Sequence, residues 1–277
     1  MSSMSCPICL GAMTDRKRGG FSFSECSGCG FGRLLDSPGR EDYWAAPAEE
    51  DSVDSFWIAS KSRYFSSALD ILERRVPDRR LLDIGGGIGF FSELALKRGW
   101  DPLSLDVSEK AAEIAAERVG AHRSATSFPE DLEGSFDVVT LWCVVAHTHE
   151  PEKVIDLARR ALTPGGIVWL TTPNYAFQKT YMRVRAGLGN PLDVADHDHV
   201  VHFTPTAIRT LLESGGFESI DFVYRGITET CIAAESTNAG LLAAKKAWNA
   251  VAHAATRVGL PNRMSELQVI ARRSSGS

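Results

Sequence analysis

From Arg80 to Ser214 the chain alternates short apolar runs with helical patterns, and this alternation restricts the available folds more than any other feature. The apolar runs Leu81–Ile84, Leu103–Val107, Phe136–Trp142 and Ile167–Thr172 predict strands. Helices are predicted over Gly89–Arg98, Glu109–Val119, Pro151–Leu162 and Pro205–Ser214. The punctuation agrees: Ser108 and Thr204 suit N-caps, Pro151 and Pro205 suit first helical turns, and Gly99, Gly165 and Gly215 lie at or near helix ends. The outcome is an α/β fold, a parallel sheet doubly wound by helices on both faces. Before it, Phe56–Val76 reads as a helix through Phe65, Ala68, Leu69 and Leu72. After it, Ile220–Tyr224 and Leu267–Ala271 read as strands, with an alanine-rich helix from about Ala239 to Thr256 between them.

Within that pattern one stretch carries a chemical signal. In "LLDIGGGIGFFSELALKRGW", Gly85, Gly87 and Gly89 fall between the first strand and its helix, where open parallel sheets bind ligands. A dinucleotide fingerprint would need glycine at position 90, which is Phe90. A phosphate-binding P-loop would need Gly-Lys-Ser/Thr, which the stretch lacks. Asp83 would repel a pyrophosphate and suit a cationic group, and Asp106, ending the second strand, is placed to hold two ribose hydroxyls. The expected ligand has a ribose and a positive charge.

A second signal lies outside the sheet. "CPIC" at Cys6 and Cys9 and "CSGC" at Cys26 and Cys29 are two C-x2-C knuckles, the spacing of a tetrahedral zinc site. Four thiolates leave no open coordination place, so the expected zinc is structural, stapling a segment too small to fold alone. The resulting organisation is a zinc-ribbon-like module over residues 1–40, a linker and helix over 41–79, and the main domain over 80–277 with an acceptor-binding insertion at about 174–204.

The 277 residues carry a net charge of −5, an unfavourable balance for general nucleic-acid binding. No window has the roughly 18 apolar residues of a membrane span, and the first residues lack a signal-peptide pattern. A cytoplasmic protein with reduced thiols is the expectation.

"LLDIGGGIG", "LSLDVS" and "GSFDVVTLWCVVAHTHEPEKVIDLARRALTPGGIVWLTTPN" resemble successive motifs of class I S-adenosylmethionine-dependent methyltransferases, over about residues 80–225. The chain is most similar to ubiquinone-biosynthesis-type and sugar O-methyltransferases, some of which also carry an N-terminal cysteine module. The resemblance implies a Rossmann-like seven-stranded sheet whose last strand, Leu267–Ala271, is antiparallel. It implies S-adenosylmethionine as cofactor, with Gly85, Gly87 and Gly89 along its methionine and ribose portion and Asp83 near its amino group. Asp106 would take the ribose hydroxyls, Val107 would pack on adenine, and Trp142 would stand beside the cofactor or serve the core. The acidic residue that often contacts adenine after the third strand is absent from "RSATSFPED".

Methylation of a hydroxyl needs a base for its proton. His147 in "VVAHTHEP" is the first candidate and His199 in "DVADHDHVVHFTP" the second, with His149, His197 and His202 nearby. Where ubiquinone-type enzymes carry acidic metal ligands, this chain has Cys143 and Ala146, so metal-free transfer is expected and Cys143 and Cys231 read as buried thiols. Arg183–Asp193, "RVRAGLGNPLD", reads as a lid or an ordinary surface loop. The expected acceptor is a small molecule, a sugar or secondary metabolite methylated on oxygen. The alternatives are an RNA methyltransferase using the basic, aromatic "DRKRGGFSF" for RNA contact, and a non-methylating protein that keeps the cofactor fold.

Overall fold

The computed structural model describes residues 5–18, 21–35, 55–120, 124–187, 199–223, 247 and 265–275. In chain order the elements are β1 (Met13–Arg18), β2 (Phe21–Cys26), β3 (Gly32–Leu34), α1 (Ser55–Glu73), β4 (Arg80–Ile84), α2 (Phe90–Lys97), β5 (Asp101–Leu105), α3 (Glu109–Val119), β6 (Ser124–Ala125), β7 (Phe136–Trp142), α4 (Pro151–Ala161), β8 (Leu162–Pro173), α5 (Tyr175–Gly187), β9 (Val201–His202), α6 (Pro205–Ser214), β10 (Phe217–Phe222) and β11 (Glu266–Arg273).

Seven strands form one sheet in the order β10-β11-β8-β7-β4-β5-β6. Neighbours from β8 to β6 pair in parallel, and β11 runs antiparallel to both β8 and β10. The expected seven-stranded sheet with an antiparallel last strand is present. Central β7 and β8 are nearly continuous runs of buried residues because both faces are covered. Helix starts follow the sequence punctuation: Ser108 Oγ accepts from Ala111 N at 3.3 Å, and Thr204 Oγ1 accepts from Ala207 N at 3.1 Å.

Three elements depart from the sequence reading. β5 ends at Leu105 rather than Val107, because its parallel register pairs Arg80–Ile84 with Asp101–Leu105. Asp106 then bends the chain toward α3, its Oδ1 accepting from Ser108 N at 2.9 Å. β10 begins three residues earlier than expected, at Phe217, where it pairs with Arg273. The N-terminal segment, read only as knuckles, forms an antiparallel sheet in the order β1-β2-β3-β9. Its fourth strand comes from the insertion of the main domain, with Gly32 opposite His202 and Arg33 opposite Val201. The alanine-rich helix expected from Ala239 to Thr256 lies, residue 247 apart, outside the described residues, as does His197. Among the described residues no helix is long and apolar enough to cross a membrane.

Candidate functional site

The glycine loop joins β4 to α2 at the carboxyl end of the sheet. A close backbone approach does explain its composition, but most of the approaches are to the protein itself. A Cβ on Gly85 would sit 2.5 Å from Val144 Cγ2, and one on Gly86 would sit 2.3 Å from Ser104 Oγ. Gly89, at φ +77°, lies against α3, where a Cβ would come within 2.9 Å of Ala115 Cβ. Gly87 differs: at φ +53° it has open space where a Cβ would stand. Gly87 is thus the one of these four glycines with open space beside it, and its N–H donates to Asp106 Oδ2 at 2.8 Å.

Asp106 is 7% exposed. Each of its oxygens accepts one backbone hydrogen bond, from Ser108 N and from Gly87 N. A carboxylate has about four acceptor positions, so two remain for ligand hydroxyls. Beside it Val107 is 74% exposed, an apolar side chain lying bare past the strand end. Gly87, Asp106 and Val107 thus offer open backbone, a fixed carboxylate and an apolar platform side by side, and these residues fit a nucleoside with an amino-acid tail.

Asp83, at the end of β4, precedes the loop by one residue. It is fully buried beneath the loop, its Oδ1 accepting from Thr140 Oγ1 at 2.7 Å and its Oδ2 from Ser92 Oγ at 3.1 Å. Burial pushes its pKa up to about 7 despite those two hydrogen bonds, with the nearby Asp106 charge adding to the rise. Any influence on a bound amino group therefore acts through the loop. Trp142 is half-buried, with its ring 4.9 Å from Phe91, 5.1 Å from Phe65 and 5.8 Å from Trp169. It serves the aromatic core under α1 and α2, and its buried indole N–H has no partner among the described residues.

Across Gly85 from this seat lies the corner that follows β7. Cys143 has φ +62°, uncommon for a residue with a side chain, and its N–H is held by Thr171 Oγ1 at 2.9 Å. The next turn closes with His147 N donating to Val144 O at 3.0 Å. The insertion then returns: Val200 N donates to Ala146 O at 2.9 Å, which brings His199 over the turn. The rings of His147 and His199 stack at 4.5 Å, and Cys143 Sγ lies 3.4 Å from His199 Nε2. All three side chains are half-buried. Burial raises the Cys143 thiol pKa, but hydrogen bonds to His147 and His199 outweigh it and the net shift is downward. Sequence reading nominated both histidines but took Cys143 for a buried thiol; its signals were its place directly after a central strand and its standing where ubiquinone-type enzymes carry an acidic metal ligand.

The other nominated histidines have structural surroundings. His202 is buried between Phe23 and Tyr175, at 5.1 and 5.2 Å. His149 contributes its carbonyl, which accepts from Arg33 Nη2 at 2.6 Å.

Cys6, Cys9, Cys26 and Cys29 converge with all four sulfurs within 4.8 Å of one another. The Cys9–Cys26 and Cys6–Cys29 separations are 3.4 and 3.7 Å. These are far from a disulfide bond and close to the roughly 3.8 Å edge of a tetrahedron with Zn–S bonds of about 2.3 Å. The cluster can hold a metal, and the donor set fits zinc. Burial raises Cys26, yet hydrogen bonds from Cys29 and Gly28 N–H and from Cys9 bring its thiol pKa down to about 7.

Comparison with known proteins gives these observations a context. The chain is 28% identical over 164 residues to a ubiquinone biosynthesis O-methyltransferase of Psychrobacter arcticus, covering 54% of this chain and 63% of that one. It is 27% identical over 190 residues to the protein of the same name from Aromatoleum aromaticum, covering 63% and 81%. The chain thus matches just under two thirds of the length of the first of these relatives. Among solved structures, phosphoethanolamine N-methyltransferase 2 of Haemonchus contortus superposes with a TM-score of 0.51 at 16% identity, over 94% of this chain and 71% of that one. A Pyrococcus horikoshii OT3 protein, PH0226, superposes with a TM-score of 0.51 at 14% identity, over 84% and 99%. At these identities the structural likeness speaks for the fold. The family model described as a methyltransferase domain matches residues 56–221, more than half of the chain, a span that runs from α1 through β10 and contains the glycine loop, Asp106 and Cys143–His147. This chain belongs to the methyltransferase domain family and has the class I, S-adenosylmethionine-dependent architecture.

Proposed function

We propose that this protein transfers a methyl group from S-adenosylmethionine to an oxygen of a small-molecule acceptor, a sugar or secondary metabolite. The observation that carries the reading is the adjacency of two groups of residues. Gly85, in the same loop as Gly87, packs against Val144, which stands between Cys143 and His147 in the corner after β7. The names of the relatives, O-methyltransferases of ubiquinone biosynthesis, support transfer to oxygen.

When bound, the cofactor supplies an electrophilic methyl on a sulfonium. The chain's own residues do the rest. Asp106 holds two ribose hydroxyls and thereby fixes the nucleoside, with Val107 under the base. Gly87 leaves the space the tail occupies. Alignment of donor and acceptor is the larger contribution of such a site. His147 and His199 handle the proton that the acceptor hydroxyl must lose as its oxygen bonds to the methyl carbon and the C–S electron pair returns to sulfur. Proton transfer by a positioned group contributes about 10²–10⁴-fold.

The test combines labelled cofactor with a panel of sugars, phenols and small hydroxylated metabolites, with RNA alongside. Transfer to one hydroxylated class is expected. His147→Ala should lower turnover on that acceptor by about 10²-fold or more while leaving affinity for S-adenosylhomocysteine nearly intact. Label incorporated into RNA alone, or into none of these, would refute the reading.

A further inference from the structure

The missing acidic ligands argued for metal-free chemistry, but the corner after β7 offers a different donor set. We infer that Cys143, His147 and His199 form a transition-metal site of their own, taking a zinc-like divalent ion and leaving one coordination place for an oxygen of the acceptor.

The donors come from two separate stretches and still converge. One ligand atom from each residue lies within 4.8 Å of the other two. The Cys143 Sγ to His199 Nε2 distance of 3.4 Å is close to the roughly 3.5 Å that separates sulfur and nitrogen on one tetrahedral zinc, with bonds of about 2.3 and 2.0 Å. Drawing the ligands around an ion therefore needs little movement. The backbone is already committed to this convergence, through Thr171 on Cys143 and through Ala146 O on the amide of Val200. Half-buried side chains leave an entry path, whereas three of the four N-terminal cysteines are buried.

Ligand type selects the ion. One thiolate and two imidazoles suit borderline and soft divalent ions such as zinc, and disfavour magnesium and calcium, which demand oxygen. Three protein ligands and an open place are the arrangement of catalytic rather than structural zinc. With the ion bound, an acceptor hydroxyl at the open place would coordinate through oxygen and lose its proton to water, since an ion of this kind lowers the pKa of bound oxygen ligands by many units. His147 and His199 would then promote loss of the acceptor proton only through the ion, in place of the direct proton handling of the metal-free reading. That role rests on the methyl-transfer reading above; the binding of the ion does not.

The experiment uses the full chain freed of metal by a chelator and then equilibrated with Zn²⁺, with bound metal counted per chain. Wild type should hold one more zinc than Cys143→Ser and than His199→Gln, whatever the four N-terminal cysteines contribute equally to all three. With Co²⁺ in place of zinc, the difference spectrum between wild type and His199→Gln should show the visible bands of tetrahedral cobalt. Calorimetric binding of S-adenosylhomocysteine to each variant reports that the fold is retained. Equal metal counts in wild type and both folded variants would overturn the inference and leave the methyl-transfer reading standing. A metal count that falls by one in both variants, when wild type and variants alike are folded by circular dichroism but bind no S-adenosylhomocysteine, would support the metal site and remove the role assigned to it.

Discussion

Removing metal from the N-terminal cysteine cluster should loosen the corner of His147 and His199 and spare the nucleoside seat. The perturbation is Cys26→Ser, which removes one of the four converging thiols and leaves the donors of the corner untouched. Beside the β3–β9 pairing, three further hydrogen bonds tie the module to the histidine-bearing segments: Leu34 N to Val200 O at 3.0 Å, Thr204 Oγ1 to Cys29 O at 2.6 Å, and Arg33 Nη2 to His149 O at 2.6 Å. At about 1 kcal/mol each, with the exposed Arg33 bond worth less, they contribute roughly 2–3 kcal/mol. The Phe31–Phe203 ring contact at 5.4 Å adds about 0.5–1.5 kcal/mol beyond burial. These contacts, the β3–β9 ladder left aside, come to about 3–4 kcal/mol, which corresponds to a shift of at least roughly 10²–10³-fold in the ordered population of residues 199–204. Hydrogen exchange reads this directly, without knowledge of the acceptor. The amides of Val200 and Val201, which donate to Ala146 O, should lose about two decades of protection. The amide of Gly87, held by Asp106, should keep its protection, and S-adenosylhomocysteine affinity should change less than about threefold, under 0.7 kcal/mol. Unchanged protection at Val200 and Val201 after loss of the metal would refute the coupling.

Asp106→Ala should weaken S-adenosylhomocysteine binding by at least about tenfold, roughly 1.4 kcal/mol, in calorimetry, since a charged acceptor is lost and the Gly87 N–H is left without it. Gly89→Ala should cost about 2–4 kcal/mol in urea melts, from a left-handed φ and a contact with Ala115. Gly87→Ala, with open space at its Cβ, should cost only about 1 kcal/mol in stability yet impair ligand binding. For Asp83 the folded pKa of about 7 stands above the ordinary 3.8, so its favourable contribution is full below pH about 4 and is lost as pH rises toward 7. Stability in this window should fall by up to about 1.4 kcal/mol per pH unit from this group, and Asp83→Asn should flatten that slope in melts taken from pH 4 to 8.

How much of this was legible in the sequence differs by kind of signal. Alternating apolar runs and capping residues located the sheet and its helices, because those patterns are local: Ser108 and Thr204 cap α3 and α6 through bonds that span three residues. Strand ends were less legible. β5 stops where its register with β4 stops, and register is a property of two strands that neither shows alone. The glycines illustrate a subtler limit. Their number in the loop correctly signalled close approach, yet three of the four face Val144, Ser104 and Ala115, residues between 18 and 59 positions away. Only Gly87 faces open space, and nothing in a run of glycines distinguishes it. The setting of Asp83 was illegible for a similar reason: alternation along β4 says that it leaves one face of the sheet, but whether Ser92 and Thr140 or solvent waits there is decided by α2 and β7.

The corner after β7 was the hardest part to read because its chemistry is assembled across 56 residues, from Cys143 to His199. Taken one at a time, Cys143 is a thiol after a central strand and His199 is one histidine among several in a polar stretch. What joins them is the backbone pairing of the insertion with both Ala146 and β3. The same pairing makes the cysteine module part of the site's support. A segment expected to be an independent staple supplies β3, which fixes β9, which fixes the position of His199. Sequence motifs identified each end of that chain of contacts, and the tertiary hydrogen bonds between them determine that a change at Cys26 reaches the residues nominated to handle the acceptor's proton.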